Sequence, residues 1–591
     1  MSEQMALNKE QAAMLRGDQG VARQMAMRLI LDMAAAAGAT ELIPVQSAHL
    51  SGVSPLTGGL GLRQFLAKLA SDPQAQVAVP TTLNAAGCDE AQFEEMRIVV
   101  PDFLAHNQEI VGLYGRIGVQ LTQSCIPYEW EGVVVQGVAA WAESNAICFG
   151  NSYTGLLTNR ESGLSALACA LTGYTPNYGL LQAAARRPNV RVTVTAVLDD
   201  PTDFSILGDW IGMQRTNSWK TPYGPIPVID GLPAELTHEQ KKALTAAAAN
   251  YGSPLVYITG FSPEIPEGEI QAELLFDEAA LQARYAALRP RLPISLIALG
   301  CPQASVGEMR AIAALLHGKQ VAEDAPPLWV FTSSANKAIA EKTGIAQTIT
   351  ASGALLLENT CPEVVPYDPA WVRHVLTNSM KAEHYIKSGL NGIPTSVMTL
   401  ADCVALATGE MALAVVDEPV VAKTSAKMQM DTAVSPTGHT AVKPTASGEF
   451  SALGKGLPSQ TDFSVTAEAF VTDTPITLLG FVNRKTGVIE EPGHPAHGQS
   501  LAGKIAIFPK GSGSTVAPYV LLELFYRGNA PLAVVNTEID QQSAPACSLE
   551  HIPYAYGFDA DVIGNINQGD VVQLTRQGGA VQMRVVTRRG G

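Results

Sequence analysis

The chain has 591 residues and a formal net charge of −16, from 39 Lys and Arg against 55 Asp and Glu. That balance argues against a protein that holds a nucleic-acid backbone, since phosphates are gripped by clustered cations. With 47% apolar and 16% charged residues, the chain is too apolar to be disordered and long enough to bury large cores.

The N-terminal stretch MSEQMALNKEQ has no basic segment leading into an apolar one, so it does not read as a secretory signal. The longest run without charge, 163–185, contains Pro176 and three glycines. It reads as a buried loop and helix rather than a membrane span. Eight cysteines with no Cys-x-x-Cys spacing are not a disulfide framework. The expectation is a cytoplasmic protein with reduced thiols and no membrane or nucleic-acid partner.

In chain order, residues 8–37 carry apolar side chains at three- and four-residue steps and predict a helix. A strand over 41–45 leads into 46–59, which is so rich in Gly, Ser and Pro that it reads as loop. A helix over 61–71 follows, then a strand running into a polar loop over 77–89. Such strand ends are where α/β sheets place ligands. The middle third alternates strands at 190–198, 254–261, 293–300 and 327–333 with helices at 238–250, 277–288, 306–317 and 334–343. That is the pattern of βαβ units and parallel sheet. From 422 to 462, Ser, Thr, Gly, Pro and Lys dominate, as in an exposed linker. Strands near 463–470, 504–508, 531–535 and 582–587 then predict a small β-rich unit. The fold class is therefore α/β, with a large region over 1–421, a linker over 422–462 and a small domain over 463–591.

Three of the eight cysteines closely precede a proline: Cys125 in SCIPYE, Cys301 in GCPQAS and Cys361 in NTCPEV. Proline fixes a turn and removes a competing N–H, and cluster ligands often sit in such loops. Their separations of 176 and 60 residues make no local metal motif, so service as buried small hydrophobes is the alternative. The segment 141–163 packs Glu143, Ser144, Asn145, Asn151, Ser152, Asn159, Arg160 and Glu161 among apolar residues. Polar groups at that density need partners, from a ligand's carboxylate and hydroxyls or from a hydrogen-bonded loop. In 509–519, Ser512, Ser514, Thr515 and backbone N–H groups could receive an anion or cap a helix, without the Walker A offset. In 377–385, Ser379, Lys381 and His384 fall close together, and His49 lies in a ligand-side loop.

Read together, AHLSGVS (48–54), PTTLNAAGCD (80–89), SCIPYE (124–129), WAESNAICFGNS (141–152), TNRESG (158–163), LGCPQAS (299–305), TCPEV (360–364), TNSMKAEHY (377–385) and KGSGSTVAPYV (510–520) resemble aconitase X, the divergent branch of the aconitase superfamily. The resemblance covers nearly the whole chain apart from the linker. It implies an aconitase-like large catalytic part, with parallel or mixed sheets, closed by a small swivelling β/α domain. The implied activity is that of a hydro-lyase with an iron–sulfur cluster on Cys125, Cys301 and Cys361. The fused branch is associated with a 2Fe–2S centre, and 4Fe–4S or 3Fe–4S centres are the alternatives. The family's proton-accepting Ser matches Ser514, and its substrate-binding positions match Gly52, Val53, Ser54 and Asn84. Asn145, Arg160, Ser379, Lys381, Ser512 and Thr515 are expected to complete the substrate site.

Two activities follow from the resemblance. A two-chain archaeal form dehydrates mevalonate 5-phosphate, and a fused bacterial form dehydrates cis-3-hydroxy-L-proline to Δ1-pyrroline-2-carboxylate. Both parts lie on one chain here, which favours the second and needs no obligate second subunit. Ser512-Gly513 also stands where the archaeal pattern has Arg-Gly, which fits a substrate without phosphate. In cis-3-hydroxy-L-proline the Cα hydrogen is anti to the leaving hydroxyl, so elimination wants a base on one face and a Lewis acid on the other. Ser514 as that base needs nearby cations, for which Lys510, Arg160 and Lys381 are candidates. The alternatives are dehydration of mevalonate 5-phosphate or another small hydroxy acid, and a non-catalytic iron-sensing protein that keeps the fold.

Overall fold

The computed structural model describes residues 5–214, 224–233, 235–291, 293–387, 390–413, 450–512 and 516–589. Three parallel sheets build the large part. The first runs Thr81–Leu83, Ser47–Leu50, Gly137–Trp141, Leu156–Leu157. The second runs Ala272–Phe276, Val190–Val194, Pro227–Asp230, Tyr257–Ile258. The third runs Leu355–Glu358, Leu328–Thr332, Leu296–Ala304, Val375–Thr377, Thr395–Val397. The expected alternation in the middle third holds closely: helices lie at His238–Ala248, Glu278–Leu288, Val306–Leu316 and Ser334–Lys342. Helix Gly163–Thr172 is buried at every residue, which explains its lack of charge. Among the described residues no helix is long and apolar enough to cross a membrane.

Two N-terminal expectations need correction. The helix expected over 8–37 is two, Lys9–Arg16 and Val21–Ala37, parted by Gly17 and Gly20 at φ of 90° and 95°. The loop expected over 46–59 is a buried strand, Ser47–Leu50, followed by helix Pro55–Ala70. Ser54 caps that helix and Pro55 opens it, a favoured start because the Pro lacks only an N–H that would be unpaired there. The glycines serve close packing rather than a loop. A Cβ on Gly61 would stand 2.4 Å from the Tyr519 carbonyl oxygen, so the bare backbone lets helix Pro518–Tyr526 lie directly on helix Pro55–Ala70.

The C-terminal unit is a closed seven-stranded barrel. Its order is Ser451–Gly456, Tyr554–Tyr556, Ala533–Asn536, Ile505–Ile507, Phe463–Val471, Val571–Gln577, Ala580–Thr587 and back to the first. The strand Ser451–Gly456 falls inside the stretch expected as linker, so the small domain begins before 463. Its sequence, SALGKG, mimics a linker because Cβ atoms at Gly454 and Gly456 would collide with Phe558 and Arg576. The rest of that expected linker, up to 449, lies outside the described residues.

One core spans the large part and the barrel: Leu29, Leu62 and Leu66 join Tyr519, Leu522 and Ala546 in a single buried cluster. At its edge Asp32, 2% exposed, accepts from the Ser459 amide (2.7 Å) and from the hydroxyls of Ser459 and Ser548. Burial pushes the Asp32 carboxyl up to about 6 against the pull of those hydrogen bonds. The folded state therefore holds this proton more tightly than the unfolded state does. The Asp32 contribution to stability is fully present below about pH 4 and is lost as pH rises to about 6. Asp32→Asn, which cannot ionise, should gain on the wild type by up to about 3 kcal/mol across that interval. Melting temperatures of both proteins at steps of pH test this; a difference that stays constant would show that Asp32 titrates normally.

Candidate active site

The carboxyl ends of the first and third sheets face one cavity of about 470 Å³. Ser51, Gly52 and Val53 follow strand Ser47–Leu50, Asn84 and Ala85 follow Thr81–Leu83, and Glu143 and Ser144 follow Gly137–Trp141. Cys361 and Glu363 follow Leu355–Glu358, and Lys381 and His384 lie on helix Met380–Ile386 after Val375–Thr377. The small domain adds Thr477, Leu479, Phe481 and Val516. The cavity thus forms where strand ends meet the small domain, the usual ligand position in open α/β sheets.

Lys381 is buried at the centre of the polar wall. Its ammonium donates to Glu143 Oε1 (2.6 Å) and Asn145 Oδ1 (2.6 Å) and pairs with Glu363 Oε1 at 3.4 Å. Burial alone would push this ammonium down, but Glu143 and then Glu363 outweigh it and hold it well above the ordinary lysine value. The two carboxylates part company. Burial would raise Glu143, but Lys381 carries it below the usual range, whereas burial keeps Glu363 above it. Asn84 donates to Glu143 Oε2 (2.7 Å) and leaves its carbonyl oxygen buried with no partner among the described residues.

The three proline-associated cysteines converge. Cys125 and Cys361 line the cavity, and Cys301 stands beside Glu363, with Sγ 3.0 Å from Oε1. Cys361 is close enough to Cys301, and Cys125 to Cys361, for each thiolate to disfavour ionisation of the next. Burial raises all three thiols, Cys125 to about 12 and the other two well above the ordinary value. Among the described residues no group of His, Cys, Asp and Glu is arranged around one point to hold a single ion. The donor set, three buried thiols on one strand and two loops, instead suits a polynuclear sulfur-ligated group, whose irons spread the ligands apart. The other five cysteines are buried elsewhere as free thiols.

Arg160 is the cavity's open cation. It lines the wall half-buried and makes no hydrogen bond or ion pair with the described residues. His384, edge-on to Tyr251 and Tyr385, is pushed down to about 4 by burial, then by Lys387 and Arg160. It is therefore neutral at physiological pH.

Of the residues expected from sequence, Gly52, Val53, Asn84, Arg160, Lys381, Cys125 and Cys361 line this cavity. A Cβ on Gly52 would meet Val516 at 2.5 Å, so this glycine is where the large part touches the small one. Asn145 acts one step back, donating to the Cys125 carbonyl (2.8 Å) while accepting from Lys381. Ser54 and Ser379 are spent on the fold, capping their helices, and Ser54 also donates to the Val364 carbonyl. Ser512 is bonded to Thr477 Oγ1 at 2.7 Å. Ser514 and Thr515 lie outside the described residues, between Ser512 and the cavity residue Val516. Lys510 is exposed and not on the cavity wall, whereas His49 is fully buried behind Glu143 and bonded to Thr82 (2.8 Å). Sequence reasoning missed Glu363. Its signal was a carboxylate two residues after Cys361 in an otherwise apolar segment, TCPEVV.

Comparison with known proteins agrees with this domain order and fold. Residues 4–184 match the aconitase X first domain, 294–409 the third domain and 459–583 the swivel domain. The chain is 33% identical over 390 residues to the phosphomevalonate dehydratase large subunit of Thermococcus kodakarensis, covering 65% of this chain and 95% of that one. It is 34% identical over 417 residues to the cis-3-hydroxy-L-proline dehydratase of Pseudomonas aeruginosa, covering 67% and 69% respectively. A separate stretch, 20% of this chain, is 34% identical to the phosphomevalonate dehydratase small subunit of Methanosarcina acetivorans, over 81% of that subunit. The crystal structure of Thermococcus kodakaraensis aconitase X in its holo form superposes with a TM-score of 0.61 at 32% identity, over 68% of this chain and all of that one. With three family domains in order around one cleft, the chain belongs to the aconitase X family and is a hydro-lyase of the aconitase superfamily.

Proposed function

We propose that this chain dehydrates cis-3-hydroxy-L-proline to Δ1-pyrroline-2-carboxylate in a reducing cytoplasm. The charge balance of the cavity carries the choice. Among the described lining residues, Arg160 and Lys381 face Glu143 and Glu363, and only Arg160 is free of a carboxylate partner. One open cation beside acidic groups suits a zwitterion with one carboxylate and one ring ammonium. A substrate bearing both carboxylate and phosphate would ask for clustered cations that these residues do not provide. The chain also joins on one polypeptide the stretches that match separate large and small subunits elsewhere. The match leaves about a third of the Pseudomonas hydroxyproline enzyme beyond it, as a fused small part requires.

In this reading the Arg160 guanidinium takes the substrate carboxylate. The Asn84 carbonyl oxygen, left without a partner, accepts from the ring ammonium, and the neighbouring carboxylates complement its charge. Ser514 removes the Cα proton; Val516, two residues further along the chain, lines the cavity. Lys381 fixes Glu143 and Asn145, so the wall that meets the ring does not reorganise during the reaction. Cys125, Cys301 and Cys361 would hold an iron–sulfur cluster, of 2Fe–2S type by family branch, which supplies Lewis acidity for the departing hydroxyl. Small-domain residues Leu479 and Phe481 cover the cavity with apolar surface and keep water from the proton-transfer step.

The test is anaerobic purification followed by assay of cis-3-hydroxy-L-proline and mevalonate 5-phosphate on one preparation. Turnover of the imino acid alone is expected; turnover of the phosphate alone would overturn the substrate and keep the family. Arg160→Gln should raise KM for the imino acid roughly 10- to 100-fold, the loss of one charge-assisted hydrogen bond, with a smaller effect on kcat. Ser514→Ala should lower kcat by about 100-fold or more while leaving the visible spectrum intact. Cys301→Ala should lose colour and activity together. Full turnover in Ser514→Ala would remove the base from that residue.

A further inference from the structure

We propose that Gln303 is a positioning residue: its side chain sets the spacing of the Cys125 and Cys361 loops about the strand that carries Cys301, before any cluster is bound. The inference rests on the reading that these three cysteines form one ligand set. Gln303 is fully buried, two residues after Cys301 on strand Leu296–Ala304. Its carboxamide makes three hydrogen bonds to the neighbouring loops. Oε1 accepts from the Cys125 amide (3.2 Å), and Nε2 donates to the carbonyls of Gln123 (3.2 Å) and Thr360 (3.0 Å). The reverse orientation would set an oxygen against two carbonyls, so the network fixes which way the amide points. The Gln303 backbone N–H also donates to Cys125 Sγ at 3.3 Å.

The two loops need holding. Gln123 and Asn359, each two residues before a cysteine, sit at positive φ, 44° and 64°, a region that non-glycine residues enter only where their surroundings impose it. Gln303 binds the carbonyl of the first and the carbonyl just after the second. Gln303 is itself pinned from behind. The buried Lys242 ammonium donates to its carbonyl (2.8 Å) and pairs with Glu308. A buried amide bonded through both its oxygen and its nitrogen fixes geometry, because each lost bond strands a buried partner.

The test compares wild type with Gln303→Met, which keeps the length and loses the hydrogen bonds. Gln303→Glu is the second variant; it keeps the acceptor for the Cys125 amide and loses both donors. In metal-free protein, amide hydrogen exchange over 122–126 and 358–362 should quicken about tenfold in Gln303→Met. In Gln303→Glu both segments should quicken, the first less than the second, because the Cys125 amide keeps its acceptor while the Gln123 and Thr360 carbonyls lose their donor. After anaerobic reconstitution, iron and acid-labile sulfide per chain should fall at least fivefold in Gln303→Met, with melting of the metal-free protein still cooperative. If Gln303→Met does not melt cooperatively, Gln303→Glu carries the test through its unequal exchange. Unchanged exchange in both variants overturns the proposal whatever the iron content, and so does quickened exchange with normal loading. A wild type that takes up no iron would sink the cluster reading instead, while the exchange data would still decide what Gln303 holds.

Discussion

An ammonium sealed from water has to be met by protein groups of opposite charge, because its lost hydration is otherwise far too large to recover. Lys381 is in that position, and the groups that meet it come from different parts of the fold. Glu143 lies after a strand of the first sheet, Glu363 lies in the Cys361 loop, and Asn145 passes the contact on to the Cys125 carbonyl. The helix bearing Lys381, the first sheet and two cysteine loops are thus referred to one charge. Without it, two buried carboxylates would face each other across the cavity wall, and the loops would lose their common point of attachment.

The same economy appears in the docking of the barrel. Its helix Pro518–Tyr526 rests on a glycine face of helix Pro55–Ala70, and the apolar core runs through the contact without interruption. The cavity roof and floor therefore belong to different parts of the chain but share one packed interior. A residue such as Gly52 belongs to the site and to the seam at once: it lines the cavity, and Val516 from the other side fills the space its side chain would need.

Much of this was legible in the chain. Alternating strands and helices in the middle third predict the parallel sheets because burial on both faces leaves long apolar runs. The pairing of Cys with Pro singles out Cys125, Cys301 and Cys361 from eight cysteines, and those three converge. What failed was the reading of glycine. In 52–59 and again at Gly454 and Gly456 it looks like loop or linker, yet it admits a neighbouring helix or a large side chain against the backbone. A single sequence carries no mark of which neighbour will come that close. Glu363, Gln303 and Lys242 were invisible for a related reason: their partners lie 18 to 180 residues away, so no local spacing announces them.

Barrel closure has a further consequence. Strand Ser451–Gly456 pairs along its length with Ala580–Thr587, so the first and last strands of the small domain are each other's neighbours. Every strand in the ring has two partners, and among the described residues no ladder leads out to the large part. Among the described residues the two parts therefore meet through side chains rather than strand pairing, in the shared apolar core and in polar contacts such as Asp32 with Ser459 and Ser548 and Lys68 with Glu550. Such a contact does not need the two parts to share a polypeptide, in keeping with stretches of this chain matching separate large and small subunits among the archaeal relatives.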